Sequence, residues 1–194
     1  SAVAAKIAAT VKGSGIRYIG GHPMAGTERS GYENAFGDLF AGASMILCPE
    51  YCDDEKALKT VSDFFLEIGF GRITLSSCAH HDEVIAFTSQ LAHVVSSAYI
   101  HGRLSTAYSG FSAGSFADMT RVARLSADMW TELFFENGAN LSGAIGELIG
   151  NLQKYKAALD TGDRAAMHAL LAEGNARKIE SEKLNLPKEG AKKC

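Results

Sequence analysis

The apolar positions in the first part of the chain switch repeatedly between helical and strand spacing. Residues 2–12 are rich in alanine with apolar positions one helical turn apart, which predicts a helix. Asp53 and Asp54 precede a second amphipathic stretch, which predicts a helix up to about Gly69. Apolar runs next to glycine, proline or serine predict strands at 16–19, 44–48 and 72–76. This alternation is typical of half of an open α/β sheet.

The rest of the chain shows helical spacing only. Helices are predicted over residues 80–104, 116–125, 127–159 and 163–183. A glycine- and serine-rich stretch at 109–115 separates the first two, and no convincing strand pattern follows residue 76. The predicted layout is therefore a partial α/β unit over residues 1–77 and an all-helical unit over residues 78–194.

Composition narrows the class of protein. Apolar residues make up 46% of the chain, which is enough for a packed core and too much for a disordered chain. The net charge of -3 gives no electrostatic basis for binding nucleic acid. No apolar run reaches the roughly 18 residues of a membrane span, and the first residues do not resemble a signal peptide. We predict a cytoplasmic protein that binds neither nucleic acid nor membranes.

The cysteines do not form a metal-binding pattern. Cys48 and Cys52 are four residues apart, but no second pair or histidine cluster follows them. We predict free thiols in a reducing compartment and no metal site.

Gly13, Ser14 and Gly15 do not form a dinucleotide-binding turn. Tyr18 stands where the third glycine of that motif belongs, no strand precedes the glycines and no helix follows them.

The strongest candidate for chemistry follows the first predicted strand. Gly20 and Gly21 are predicted to turn the chain at the end of that strand, and Pro23 stiffens the exit. His22 then faces the crevice in which open α/β sheets bind ligands. Because imidazole titrates near neutral pH, it can accept a proton from a substrate hydroxyl. The alternative is a turn whose histidine only bonds to the backbone, and for an isolated motif this is the commoner case.

A second candidate lies on the helix that follows the third predicted strand. His81, Gln90 and His93 form a polar seam on an otherwise apolar helix, with the last two one turn apart. Buried polar groups need partners. A ligand and a hydrogen-bonded core are equally good explanations of the seam.

Arg121 is the third candidate. It follows Phe116 and Met119 on a predicted helix, and a guanidinium among apolar neighbours needs an anion, for which a carboxylate is well suited. Asp118, three residues earlier, is either that anion or one half of an ordinary surface pair.

Taken together, four segments resemble the prephenate/arogenate dehydrogenase family in order and spacing. They are RYIGGHPMAGTERSG (17–31), LFAGASMILCP (39–49), HDEVIAFTSQLAHVV (81–95) and FADMTRVARLSADMW (116–130). Members of this family oxidatively decarboxylate prephenate or arogenate with NAD or NADP on the route to tyrosine. The resemblance therefore favours the functional interpretation of the three candidates above.

The resemblance also implies a fold. The first unit corresponds to the second half of a Rossmann-type domain, and the second unit to a helical domain through which two subunits interlock as a homodimer over residues 80–185. The glycine-rich NAD-binding turn is expected ahead of Ser1. By itself this chain is therefore expected to fold and dimerise but to have little or no dehydrogenase activity.

Individual roles follow from the same resemblance. His22 is expected to take the proton of the ring hydroxyl, and Arg121 to bind a substrate carboxylate. Ser1 matches the position of a family serine near the nicotinamide and the substrate, and it is the third expected catalytic residue. Several relatives carry histidine at the position of Gln90. Glutamine still donates and accepts hydrogen bonds, so the pocket stays polar, but glutamine cannot take part in proton transfer. The other expected substrate-binding residues are Gly26, Thr27, Glu28, His93, Asp118 and Trp130, and the expected cofactor-binding residues are Gly21 and Pro23.

The resemblance implies a prephenate dehydrogenase that uses NAD, and three alternatives to it stay open. The protein is an arogenate dehydrogenase, a different dehydrogenase with a Rossmann and a helical domain, or an inactive helical module that only dimerises. The catalytic interpretation expects His22, His93 and Arg121 to meet at one cleft.

Overall fold

The computed structural model of this protein describes residues 1–27 and 31–185. Two compact units divide the chain, the first covering Ser1–Ala144 and the second beginning at Ile145. The strands are β1 (Gly20–Pro23), β2 (Ser44–Cys48) and β3 (Arg72–Leu75). The helices are α1 (Ala2–Val11), α2 (Glu55–Glu67), α3 (Cys78–Ile85), α4 (Leu91–Ile100), α5 (Gly114–Thr120), α6 (Ala127–Glu136), α7 (Gly138–Asp160) and α8 (Arg164–Asn185). A 3₁₀ turn covers Tyr32–Asn34, and a π-helical turn, Ala86–Gln90, joins α3 to α4.

The strands form one mixed sheet in the order β1-β2-β3. β2 is antiparallel to β1, with Ile46 opposite His22, and parallel to β3. The sheet and its helices, followed by helices alone, confirm the predicted α/β fragment with an all-α part after it.

The first strand lies four residues later than the sequence pattern predicts. Residues 16–19 are not a strand, and Gly20 and Gly21 are strand residues without positive φ, so the predicted glycine turn is wrong. Packing explains the difference. A Cβ on Gly21 would lie 2.6 Å from Cε of Met45, a side chain that is buried in the core. Gly21 therefore allows the strand backbone to approach the end of the Met45 side chain closely, and it does not form a turn.

The core of the first unit lies between the sheet and α2. Met45, Leu47 and Phe70 are its buried residues, and Leu47 is only 1% exposed. Phe40 stacks on Phe70 with the ring centroids 5.0 Å apart. Helix α2 contributes the face with Leu58, Val61 and Phe65. This core supports the strand opposite β1 and so holds His22 in place.

The long predicted helices are divided in the structure. The pattern over 80–104 forms α3, the π turn and α4, which end at Ile100. The single helix predicted over 127–159 is wrong, because α6 ends at Glu136 and α7 begins at Gly138. Asn137 lies between them with φ -123° and ψ 26°, at an Asn-Gly pair that favours a turn. Within the described residues, no helix is long and apolar enough to cross a membrane.

The second unit contains a helical hairpin. Gly162 has φ +66°, and the Asp163 side chain accepts a hydrogen bond of 2.9 Å from the backbone N–H of Ala166 at the start of α8. The predicted stop and cap between the two helices is confirmed.

Candidate active site

A cavity of about 300 Å³ lies beside β1 in the first unit. Its wall is formed by the start of α1, by β1 and β2, and by α3 with the π turn and the end of α6. The polar side chains in this wall are those of Ser1, Tyr18, His22, His81, Asp82, Gln90, Glu136 and Asn137. The cavity therefore joins the sheet that carries His22 to the helix that carries the predicted polar seam.

His22 is half-buried in the wall of this cavity. Its Nδ1 lies 2.8 Å from Nε2 of His81, and the two rings meet edge to face with their centroids 5.1 Å apart. Burial, and then the neighbouring His81, lower the pKa of His22 below the ordinary 6.5. At neutral pH the ring is therefore uncharged and can act as a proton acceptor.

His81 is in turn hydrogen-bonded to Asp82. The His81 Nδ1 lies 2.9 Å from Oδ1 of Asp82, and the other carboxylate oxygen pairs with the amino group of Ser1. Burial by itself raises the pKa of Asp82, but the hydrogen bonds that its carboxylate accepts, among them the one from His81, outweigh burial, so the pKa is lowered. Asp82 is therefore ionised at neutral pH and only accepts hydrogen bonds.

Two cysteines in the cavity wall are not nucleophiles. Cys48 and Cys78 are free thiols, as is Cys52, which confirms the prediction for the described cysteines. Burial, and then a hydrogen bond with Glu50, raise the pKa of Cys78 to about 12, and burial also raises the pKa of Cys48. Both are protonated at neutral pH, so covalent thiolate chemistry is disfavoured here.

Gln90 is 6% exposed, and its hydrogen bonds are made within the protein. Its Nε2 donates to the carbonyl of Leu133 at 3.0 Å, and its Oε1 accepts from Nδ2 of Asn137 at 2.9 Å. Asn137 also donates to the carbonyl of Asp82 at 2.7 Å. Of the two explanations offered for the polar seam, the structure therefore supports a hydrogen-bonded core for Gln90. The network ties the π turn to the junction of α6 and α7.

The replacement Gln90→Leu is expected to lower the free energy of unfolding by about 1–3 kcal/mol, because it removes the two hydrogen bonds that join the buried Gln90 side chain to Leu133 and Asn137. Urea denaturation followed by circular dichroism measures the change. Gln153→Leu makes the same chemical change at an exposed position on α7 and is expected to have little effect. Equal stability of the two variants would show that the network around Gln90 contributes nothing.

His93 and Trp130 form a second cluster next to this network. Their ring centroids lie 3.9 Å apart, and Nδ1 of His93 lies 3.2 Å from the carbonyl oxygen of Val122. Since a carbonyl can only accept, Nδ1 carries the proton and donates. His93 is thereby held against the residue that follows Arg121.

Arg121 and Asp118 are exposed. Helix α5 ends at Thr120, earlier than predicted, so Arg121 lies just past the helix rather than within it. Asp118 is an exposed residue of α5.

The predicted site residues fall into two groups. Ser1, Gly21, His22 and Gln90 line the cavity, whereas His93, Asp118, Arg121 and Trp130 lie outside its lining. The remaining predicted residues belong to the end of β1 and the loop after it: Pro23 ends the strand, and Gly26 and Thr27 are exposed. Glu28 lies outside the described residues.

Sequence reasoning missed Asp82 and Asn137 in the cavity wall, and it named His81 only as part of the polar seam. His81 and Asp82 form the contacts that surround His22, and Asn137 closes the network around Gln90. The signals were present, since His80, His81 and Asp82 are three consecutive polar residues at a helix start and Asn137 precedes a glycine.

The described residues fit the nicotinamide end of a dinucleotide but not its diphosphate. The cavity has room for a ring, and Gly21 brings only backbone to its wall. The connections from β2 to α2 and from β3 to α3 contain no glycine, so neither supplies the turn that cradles a diphosphate within this part of the chain.

Comparison with known proteins gives two family matches. The family described as prephenate dehydrogenase, nucleotide-binding domain, matches residues 1–75, and prephenate dehydrogenase, dimerization domain, matches residues 77–173. A cyclohexadienyl dehydrogenase of Zymomonas mobilis is 38% identical over 73% of this chain and 50% of its own length. A prephenate dehydrogenase of Bacillus subtilis is 29% identical over 77% and 42%. The chain spans about half the length of these curated relatives.

Solved structures give the same result. Prephenate dehydrogenase from Aquifex aeolicus, in complex with hydroxyphenyl propionate and NAD+, superposes with a TM-score of 0.73 at 30% identity, over 86% of this chain and 59% of that one. Arogenate dehydrogenase from Synechocystis superposes with a TM-score of 0.72 at 26% identity, over 85% and 62%.

Proposed function

Because the chain belongs to the prephenate dehydrogenase family, we propose that this protein oxidatively decarboxylates prephenate to 4-hydroxyphenylpyruvate with NAD, a step of tyrosine biosynthesis. The observation that carries the proposal is His22, an uncharged and half-buried imidazole in the wall of a cavity of ring size. The prephenate dehydrogenase of Bacillus subtilis supports the choice of substrate, and the NAD+ complex of the Aquifex aeolicus enzyme supports the choice of cofactor.

The reaction requires one residue that accepts a proton and later returns it. His22 accepts the hydroxyl proton of the substrate ring while the hydrogen on the same carbon leaves as hydride, for which NAD supplies the acceptor when bound. The bond from the ring to its carboxylate then breaks. Its electron pair makes the ring aromatic and places negative charge on the oxygen. His22 returns the proton to that oxygen, so the phenol and CO2 form without net proton uptake from water.

Arg121 is proposed to bind a carboxylate of the substrate. Gln90 lines the cavity, His93 lies one turn further along the chain, and His93 is hydrogen-bonded to the neighbour of Arg121. The short distance along the chain from Gln90 to His93, and the hydrogen bond of His93 to Val122, support a place for Arg121 at the rim of the same site. Ser1, Gly26, Thr27, Glu28, His93, Gln90, Asp118 and Trp130 are proposed to surround the substrate, and Gly21 and Pro23 the cofactor.

Replacing Arg121 with glutamine is expected to raise KM for prephenate by about ten- to a hundredfold with a smaller change in kcat, because a charge-assisted hydrogen bond contributes about 1.5–3 kcal/mol to binding. Initial rates of reduced nicotinamide formation give both constants. Arg124→Gln, an exposed arginine on the same segment, is the matched control. An unchanged KM in Arg121→Gln would remove this residue from the site.

Arogenate is the second candidate substrate, since the arogenate dehydrogenase of Synechocystis shares the fold over most of this chain. Rates with prephenate and with arogenate, each measured with NAD and with NADP, separate the candidates. We expect the highest kcat/KM for prephenate with NAD. Turnover of arogenate alone would transfer the proposal to that substrate.

The protein is further proposed to act as a cytoplasmic homodimer through residues 80–185. Large apolar side chains are exposed in each unit: Phe87 (62%) and Phe135 (84%) in the first, Leu159 (71%) and Leu171 (58%) in the second. The match to a dimerization domain supports their burial against a second copy. A monomeric mass in light scattering at micromolar concentration would contradict the proposal.

A further inference from the structure

Three side chains form a continuous hydrogen-bonded series behind the cavity. The Asp82 carboxylate contacts Nδ1 of His81 at 2.9 Å, and Nε2 of His81 contacts Nδ1 of His22 at 2.8 Å. All three residues line the cavity and all are partly buried. Of these three residues, the proposed function assigns a role only to His22.

The direction of the hydrogen bonds follows from the carboxylate. Ionised Asp82 can only accept, so Nδ1 of His81 carries a proton and donates it. In a neutral His81 the other nitrogen, Nε2, then has a lone pair and accepts. The proton between the two histidines therefore sits on Nδ1 of His22, and Nε2 of His22 has the free lone pair.

We propose that His81 and Asp82 are positioning residues that hold His22 in the Nδ1–H tautomer, with Nε2 as the proton acceptor for the substrate hydroxyl. This inference rests on the proposed function and deepens it. When His22 takes up the substrate proton at Nε2, its Nδ1–H donates to His81, and the positive charge is stabilised through His81 by the carboxylate of Asp82. The proton returned to the product leaves the series as it began, so no other acid or base is consumed.

The other ionisable groups around His22 do not supply this role. The amino group of Ser1 at α1 pairs with the far oxygen of Asp82, and Glu136 lines the cavity from the end of α6. Cys48 on β2 and Cys78 on α3 are neutral thiols, and Tyr18, whose pKa burial raises, is a neutral phenol. Among the described groups, His81 is the one found at hydrogen-bond distance from Nδ1 of His22.

The first test is a direct measurement of the tautomer. Two-dimensional ¹⁵N–¹H NMR of the protein expressed from its whole gene, with labelled histidine and without substrate, distinguishes a protonated Nδ1 from a protonated Nε2. We expect the proton of neutral His22 on Nδ1, and His81→Leu is expected to move it to Nε2, the form that a free imidazole side chain prefers. A wild-type His22 protonated on Nε2 would overturn the proposal without any variant.

The second test is kinetic and uses two replacements at the same position. His81→Leu is expected to lower kcat by about ten- to a hundredfold and to leave KM nearly unchanged. This is the range found when a residue that orients an imidazole by a hydrogen bond is removed. His81→Gln keeps an acceptor oxygen near the place of Nε2 and is expected to recover most of the loss. A residue that only supports the fold would not give this separation between two similarly sized side chains.

The matched control is His80→Leu. His80 is the neighbouring residue on α3, is exposed, and lies 3.4 Å from Glu83. It is expected to retain wild-type kcat. If His81→Leu matches this control in kcat, or if His81→Gln is as slow as His81→Leu, the positioning role is wrong. If neither the wild type nor any variant turns over prephenate or arogenate while the tautomer is as expected, the proposed function fails and the hydrogen-bonded series stands.

Discussion

We expect the replacement His22→Asn to lower kcat by about 10²–10⁴-fold, because it removes the group that accepts the hydroxyl proton. Asparagine keeps hydrogen-bonding ability and similar size, so KM is expected to change little. Steady-state rates of reduced nicotinamide formation from prephenate measure both constants. His80→Asn is the control, since this exposed histidine lies outside the cavity wall.

The pH dependence of the wild-type enzyme gives a second signature of the same residue. Its pKa is lowered below 6.5, and the neutral form is the active one. Activity is therefore expected to be retained at neutral pH and to fall as the pH drops through a pKa that lies below 6.5. The variant His22→Asn is expected to lack this acidic limb. Wild-type activity in the variant, or an unchanged acidic limb, would show that another group accepts the proton.

The replacement Leu47→Ala is expected to lower the free energy of unfolding by about 2–5 kcal/mol, the range for a leucine truncated in a packed core. Leu47 is 1% exposed, lies in the central strand between Gly21 and Leu75, and packs in the cluster with Met45 and Phe70. A truncation here leaves a cavity that the paired strands on either side cannot readily close. Urea denaturation with circular dichroism gives the difference.

Leu66→Ala is the matched control for this prediction. Leu66 lies on α2 but is 47% exposed, so the same truncation removes much less buried surface and is expected to change stability by about 0.5 kcal/mol or less. A loss of stability at Leu47 no larger than at Leu66 would contradict the assignment of the core. Because Leu47 supports the strand next to β1, its loss is also expected to reduce activity at temperatures near the midpoint of unfolding.

The sequence predicted the ends of a strand or helix correctly where residues that stop or cap the element lie next to it. Strand β2 begins and ends as predicted, because its apolar run stops at Pro49, and α2 begins after Asp54, whose side chain caps it by accepting from the backbone N–H of Ala57 at 3.0 Å. His22 was identified from its position among strand, glycine and proline signals, and it does line the cavity.

What the sequence could not supply depends on pairing between distant segments. β1 includes two glycines, which local propensity disfavours in strands, and at Gly21 the backbone passes close to the buried Met45 side chain. The contact between His22 and His81 joins residues 59 positions apart, and no periodicity within either segment encodes it. Gln90 belongs to a π-helical turn, a departure from helical spacing that hydrophobic patterning does not reveal.

The central claim is tested most directly by the products of one reaction. The protein expressed from its whole gene is incubated with prephenate and NAD, and reduced nicotinamide, CO2 and the aromatic product are measured together. The account predicts equal amounts of all three, with 4-hydroxyphenylpyruvate as the aromatic product and with formation strongly reduced in His22→Asn. Reduced nicotinamide without CO2, or no products from either prephenate or arogenate, would contradict it.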